Sequence, residues 1–264
     1  MNSSGQKGPG QLRTQWAGNA IAAADVTLPI TASQVRSAGA AWGQGKNGPA
    51  RRALWLDIET LAGDLWAASG VDERNACWVR LAFAVGNFKR QGGTVLHPSN
   101  LPLLPAVSNG ESDRKPRKSI SISIGENEVV TLERRSLDAL RQFGHKRGFG
   151  LVATASTLAS VLWPDHHVIL DSRDYQVAVG LLAAQGESIV LPNENRPPRE
   201  PEWSEYDWFR TVIFNTAESL RDRKTPRITA VMVQRATWMA FRYASTVKGR
   251  TWDHYGKTLL SKWP

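Results

Sequence analysis

Apolar residues recur along most of this chain at the three- and four-residue spacing that places them on one face of an α-helix. In the segment 49–68, for example, this face carries Leu54, Ile58, Leu61 and Leu65. Helices are predicted at 12–24, 32–42, 49–68, 72–88, 136–145, 151–162, 172–185, 204–223 and 227–246. The pattern therefore predicts a mainly α-helical protein.

One segment departs from the helical period. Residues 119–132 read SISISIGENEVVTL, with strict alternation in the first arm and β-branched residues in the second. Alternation is the period of a strand, and residues 125–127 form a turn sequence between the two arms. A small β-hairpin is predicted here, within a loop-rich insertion of about 92–132.

Capping residues predict where several helices begin. Thr31 precedes the second predicted helix, and Asp72 is the expected cap of the fourth. The sixth helix stops at Pro164, and a short apolar run then leads to Asp171 at the start of the next helix. Asp171 is either an N-cap alone or a rigidly held functional carboxylate, and the pattern by itself leaves both open.

The composition, 41% hydrophobic and 22% charged over 264 residues, is typical of a soluble globular protein. We expect a disordered tail at 1–11 and one helical domain of two lobes at 12–264. No apolar run approaches the roughly 20 residues of a membrane span, so no membrane association is expected. The lone Cys77 excludes an internal disulfide and is expected in the core. A cytoplasmic location follows.

The formal net charge of +9 favours a polyanionic partner, with nucleic acid ahead of a membrane surface. Between Arg114 and Arg147 there are nine Lys or Arg residues against four Asp or Glu residues, and the pair Arg117–Lys118 lies among them. The chain also has eleven tryptophans, and aromatic rings beside cations are what unpaired bases stack on.

The sequence lacks the motifs of several common binding sites. The pair Gly45–Lys46 is followed by Asn47, where a phosphate-binding loop needs Ser or Thr. His166 and His167 are adjacent and have no metal-ligand spacing. Neither a metal nor a cofactor is expected.

A basic turn lies before the predicted helix at 151–162. Lys146 and Arg147 precede Gly148 and Gly150, two glycines spaced by one residue. Such a turn offers free backbone N–H groups that bind a DNA phosphate, although a plain connection between helices has the same sequence features.

The order of basic turn, Gly-x-Gly, apolar helix, proline turn, apolar triplet and Asp171 resembles the helix–hairpin–helix DNA glycosylase superfamily. The stretch 168–173, VILDSR, is most similar to bacterial proteins with an 8-oxoguanine DNA glycosylase fold. The resemblance covers about two thirds of the chain, is strongest near Asp171 and leaves out the hairpin. It implies a glycosylase-like helical domain with the β-hairpin as an insertion.

The resemblance implies that Asp171 is the catalytic carboxylate, which stabilises the positive charge that develops on the sugar. In members with a nucleophilic lysine, this lysine stands about 18 to 19 residues before the aspartate, where Ala153 and Val152 occur here. Lys146 lies farther upstream. A monofunctional enzyme that leaves an abasic site is therefore implied, with residual lyase activity through Lys146 left open.

The partner implied is double-stranded DNA with a flipped-out modified base, and no obligate protein partner is evident. The expected DNA contacts are Arg117, Lys118, Lys146, Arg147, Gly148, Gly150 and Arg173. A flipped base needs an apolar or aromatic pocket. Its expected lining is Phe149, Trp163, Trp203, Trp208, Gln234 and Trp238, although core packing is the alternative for each aromatic residue.

Two substrate classes remain open. One is a bulky modified pyrimidine of phage DNA, such as glucosylated hydroxymethylcytosine, whose removal would serve antiviral defence. The other is an oxidised or alkylated purine, removed in base-excision repair. A non-catalytic DNA-binding protein of the same fold and a helical protein-interaction module are the alternatives from other classes.

Overall fold

The computed structural model describes residues 26–42, 44, 48–90, 119–124, 128–133, 152–185, 203–221, 227–244 and 251–264. Within them the chain is mainly α-helical, as its apolar period predicts. It forms two compact units, one of Met1–Trp42 with Leu170–Pro264 and one of Gly43–Ile169. No helix of the described residues combines the length and the apolar character needed to cross a membrane.

Eight α-helices are described. They are α1 (Ala32–Ala41), α2 (Gly48–Ala67), α3 (Val71–Arg90), α4 (Val152–Leu162), α5 (Ser172–Ala184), α6 (Trp203–Ser219), α7 (Ala230–Ala240) and α8 (Trp252–Lys262). A short 3₁₀ helix, Phe241–Ala244, continues α7. The predicted helices at 12–24 and 136–145 lie outside the described residues.

Helix α8 is the element that sequence reasoning missed. Its signals are present, because Thr251 caps it through a hydrogen bond from the backbone N–H of His254 (3.3 Å). Trp252, Tyr255 and Leu259 are buried at helical spacing. The predicted helix at 227–246 is also shorter than expected, since α7 begins only after its cap Thr229.

In the unit Gly43–Ile169, helices α2, α3 and α4 pack together. The predicted inner face of α2 is confirmed for Ile58, Leu61 and Leu65, whereas Leu54 is half-buried. The expected cap Asp72 lies inside the first turn of α3, because this helix begins one residue earlier.

Helix α4 is buried on nearly all sides, and it carries hydroxyl residues as well as apolar ones. Thr157 donates to the carbonyl oxygen of Ala153 (2.7 Å), and Ser160 donates to that of Thr157 (2.9 Å). A buried hydroxyl needs a hydrogen-bond partner, and the preceding helical turn supplies it here.

The segment predicted as a hairpin contains two strands, β1 (Ser119–Ile124) and β2 (Glu128–Glu133). They pair antiparallel, with Ser119 opposite Glu133 and Ile124 opposite Glu128. The three residues that join them lie outside the described part of the chain.

Helix α5 is the central element of the other unit. Its residues 174–183 are all buried, because α7, α8 and the 3₁₀ helix pack around it. Helix α7 in turn contacts α1 and α6. These contacts fix the position of the first turn of α5 relative to the half-buried side of α7.

Helices α5 and α8 approach most closely where Gly180 meets Gly256. A Cβ atom at Gly256 would lie 1.8 Å from the carbonyl oxygen of Gly180. One at Gly180 would lie 2.4 Å from the ring atom Cδ1 of Tyr255. The contact therefore requires glycine on both helices.

Candidate functional site

Asp171 is the N-cap of α5, which is one of the two roles that the sequence left open. Its backbone is extended, and its Oδ1 accepts hydrogen bonds from the backbone N–H groups of Arg173 (2.8 Å) and Asp174 (3.1 Å). These two donors would otherwise have no partner at the helix start. The cap fixes one carboxylate oxygen of a half-buried side chain, and Oδ2 accepts no hydrogen bond from any described residue.

Asp174, three residues farther on, has a different environment because its side chain is completely buried. Its carboxylate accepts hydrogen bonds from Gln234 Nε2, at 3.1 Å from each oxygen, and from Thr237 Oγ1 at 2.9 Å. A buried carboxylate is tolerated only with such partners. These bonds tie the first turn of α5 to α7.

The structure corrects the expected role of Gln234. This residue is 4% exposed and directs its amide nitrogen to Asp174, so it bridges two helices instead of reading a base. Sequence reasoning also missed Asp174. The available signals were an acidic residue on an apolar helix face and two polar residues, Gln234 and Thr237, three positions apart on another.

Arg173 is exposed and lies against two aromatic rings. Its guanidinium carbon is 5.3 Å from the ring centroid of Trp238 and 5.6 Å from that of Phe241. Both distances are in the range of cation–π attraction. Among the described residues, no carboxylate forms an ion pair with this guanidinium and no oxygen accepts its N–H groups.

A second arginine, on helix α7, also lies against an aromatic ring. The guanidinium of Arg235, one turn before Trp238, lies 4.6 Å from the ring centroid of Trp42 at the end of α1. Both of these residues are half-buried. We use the name arginine–aromatic cluster for the following five residues: Trp42, Arg173, Arg235, Trp238 and Phe241.

The start of α5 thus combines a capped carboxylate with cations and aromatic rings. A carboxylate stabilises developing positive charge, guanidinium groups bind phosphates, and aromatic rings stack on bases. No protein-family model matches this chain, and no curated protein or solved structure is significantly similar to it.

Two of the predicted pocket residues are core residues. Trp163 is 2% exposed, and its ring centroid lies 5.9 Å from that of Trp66 and 6.2 Å from that of His167. Trp208 is 3% exposed and packs edge-on against Tyr175 at 6.5 Å. Neither side chain faces solvent, so the structure corrects their expected role in a base pocket to one in packing.

The remaining predicted residues are mostly outside the described part of the chain. These are Arg117, Lys118, Lys146, Arg147, Gly148, Phe149 and Gly150. The backbone of Trp203 begins α6, but its side chain is not among those described. The described members of the predicted site are therefore Asp171, Arg173, Trp238 and the three corrected residues.

Cys77 is buried, as its sequence context predicts. Burial, followed by the negative charge of Asp64, raises the pKa of the Cys77 thiol above its ordinary value. A thiol that stays protonated is a poor nucleophile and a poor metal ligand. Among the described residues, no group of three His, Cys, Asp or Glu side chains could hold a metal ion.

Proposed function

We propose that this protein is a monofunctional DNA glycosylase in which Asp171 is the catalytic carboxylate. The observation that carries the proposal is the geometry of this side chain. One oxygen is fixed by two backbone N–H groups, and the other has no hydrogen-bond partner among the described residues. The arginine–aromatic cluster beside it supplies groups that bind phosphates and bases.

The reaction breaks the bond between the sugar C1′ and a base nitrogen, and the electron pair leaves with the base. Positive charge then develops on the sugar, and the carboxylate of Asp171 stabilises it. A water molecule oriented by the same carboxylate forms the new bond to C1′. Its proton passes to the departing base, which leaves an abasic site.

The residues at the lysine position of bifunctional glycosylases support hydrolysis. Val152 and Ala153 occupy it, and neither side chain can form a Schiff base with the sugar. The product is therefore an abasic site in an uncut strand. The two substrate classes, bulky modified pyrimidines of phage DNA and oxidised or alkylated purines, remain alternatives within the proposal.

One observation favours a second candidate, a DNA-binding protein without catalysis. The cap hydrogen bonds of Asp171 are by themselves a sufficient structural reason for an aspartate at this position. In that case the arginine–aromatic cluster would bind DNA and no base would be released.

A panel of duplexes, each with one modified base, separates the two candidates. The bases are glucosylated 5-hydroxymethylcytosine, 8-oxoguanine and an alkylated purine, and alkali after incubation cuts the strand at any abasic site formed. We expect cutting of at least one duplex by the wild-type protein. Asp171→Asn keeps a capping side chain but removes the charge, so we expect at least a 100-fold slower release with DNA binding retained.

Asp207→Asn is the matched control, because it removes the same charge from an exposed position on α6. It should release bases at the wild-type rate. If Asp171→Asn also kept the wild-type rate, Asp171 would have no place in the mechanism. If the wild-type protein bound every duplex and released no base, the non-catalytic candidate would stand.

A further inference from the structure

Arg173 combines three properties that are unusual together. Its side chain is exposed, and its guanidinium carbon lies 5.3 and 5.6 Å from two ring centroids. No described residue accepts a hydrogen bond from its guanidinium N–H groups. A ring face attracts the cation through its quadrupole and takes up little of its hydrogen-bonding capacity. The rings of Trp238 and Phe241 therefore hold the guanidinium in place while its donors remain available.

The position of Arg173 in the helix is electrostatically unfavourable. It is the second residue of α5, where the helix dipole presents its positive end and favours anions over cations. Neither of the two neighbouring carboxylates forms an ion pair with its guanidinium. That of Asp171 is bound to backbone N–H groups, and that of Asp174 is bound to α7. The guanidinium thus lacks an anionic partner among the described residues.

Helix α7 continues the cationic surface. Its residues at 233, 234, 236, 237 and 240 are buried, whereas Arg235 and Trp238 lie on the side that is only half-buried. Arg242, farther along, is exposed and lies 4.9 Å from the ring centroid of Tyr243. Arg173, Arg235 and Arg242 are thus three cations that each lie near an aromatic ring. Cations attract a polyanionic strand.

We propose that Arg173, supported by Trp238 and Phe241, binds a DNA phosphate next to the nucleotide on which Asp171 acts. The planar fork of a guanidinium donates two hydrogen bonds to one phosphate, which is the contact that positions a strand. The cation also offsets repulsion between this phosphate and the carboxylate of Asp171. The inference rests on the proposed function, and it makes Trp238 a support for Arg173 instead of the wall of a base pocket.

The first test measures binding to a duplex with one central tetrahydrofuran residue, a stable analogue of the abasic product. The dissociation constant is measured between 50 and 200 mM salt. We expect Arg173→Gln to weaken binding about tenfold and to reduce the salt slope by about 0.9, the value for one phosphate contact. Arg173→Lys keeps the charge without the fork, so it should keep most of the salt slope and lose part of the affinity.

Arg210→Gln is the matched control, because Arg210 also lies near an aromatic ring, at 5.7 Å from the ring centroid of Phe214. It should leave both the affinity and the salt slope close to wild type. Equal effects of Arg173→Gln and Arg210→Gln, or no effect of Arg173→Gln, would overturn the inference. Trp238→Leu should weaken binding in the wild-type background and have little further effect on Arg173→Gln.

A second test identifies the phosphate. Each phosphate flanking the analogue is replaced in turn by a neutral methylphosphonate. When the methylphosphonate replaces the phosphate that Arg173 contacts, Arg173→Gln should no longer weaken binding, since that contact is already lost. Failure to find any such position would overturn the inference, even if base release by the wild-type protein were demonstrated.

The two proposals can fail separately. If the phosphate coupling is found but no base is released from any duplex, the glycosylase proposal fails and the phosphate contact stands. If the wild-type protein does not bind the duplex at all, both fail. Arg173 would then fit the carboxylate of a protein partner.

Discussion

Asp171 caps α5, and the chemical role that we propose for it would use its other carboxylate oxygen. The cap uses Oδ1 alone, so the other oxygen remains for a reacting group or a water molecule. Because Asn is about as good an N-cap as Asp, Asp171→Asn changes the charge and leaves the helix start intact. A loss of activity in this variant therefore reports on the carboxylate and not on folding.

Asp174 differs from Asp171, because its completely buried side chain cannot reach a substrate and serves only to hold the structure together. Its carboxylate accepts hydrogen bonds from Gln234 and Thr237, both of which are also buried. Asp174→Ala would remove the acceptor of the Gln234 amide, whereas the Thr237 hydroxyl can still donate to the carbonyl oxygen of Gln234 (2.7 Å). We expect the free energy of unfolding to fall by about 1–3 kcal/mol, the cost of a buried donor that loses its acceptor.

Urea titration followed by circular dichroism measures this change. Asp207→Ala is the control, because its exposed side chain should contribute less than about 0.5 kcal/mol. Equal stabilities of the two variants would show that the Asp174 network is not needed to join α5 to α7.

At the scale of elements, the crossing of α5 and α8 depends on two glycines. A methyl group at Gly256 would overlap the carbonyl oxygen of Gly180, and backbone cannot move aside as a flexible side chain can. We therefore expect Gly256→Ala to lower the free energy of unfolding by about 3 kcal/mol or more, at the upper end of overpacking effects. Thermal unfolding of the purified variant measures the loss.

Gly39→Ala in α1 is the matched control, since no atom lies within 4 Å of the added methyl group. It should leave stability unchanged or raise it by up to about 1 kcal/mol, because alanine favours the helix over glycine. A Gly256→Ala variant as stable as wild type would mean that the two helices do not approach as closely as described.

At the scale of the whole molecule, the net charge of +9 favours a polyanionic partner, which is DNA in the proposed function. Neutralised phosphates release counterions, so affinity for an unmodified duplex should fall at least tenfold between 50 and 200 mM salt. Fluorescence anisotropy of a labelled duplex measures the affinity at each salt concentration. Binding that is absent or insensitive to salt would favour a protein-interaction module instead.

Local patterns were sufficient for much of the secondary structure. The 3.6-residue period predicted α2 and the strand period predicted β1, because each depends on neighbours a few positions away. Thr31 was predicted as a cap, and a cap was one of the two roles considered for Asp171, since a cap bonds only to the next two or three residues. Helix α8 was missed although it carries the same kind of signal.

The site could be predicted only in part. Asp171 and Arg173 were chosen from the sequence, but the surroundings of Arg173 could not be, because Trp238 is distant in the chain. The burial of Trp163 and the engagement of Gln234 by Asp174 likewise depend on how the helices pack. Aromatic side chains usually pack inside a protein, but residue type alone does not separate a core position from the wall of a pocket.

The sequence by itself determined the helical class, an aspartate at the start of α5 and the excess of positive charge. These follow from spacing, residue type and count, which do not depend on the tertiary arrangement. Only the tertiary structure decided that Asp174 is buried against α7 and that Arg173 lies over Trp238 and Phe241. The physical reason is that burial and stacking are properties of side chains brought together from distant parts of the chain.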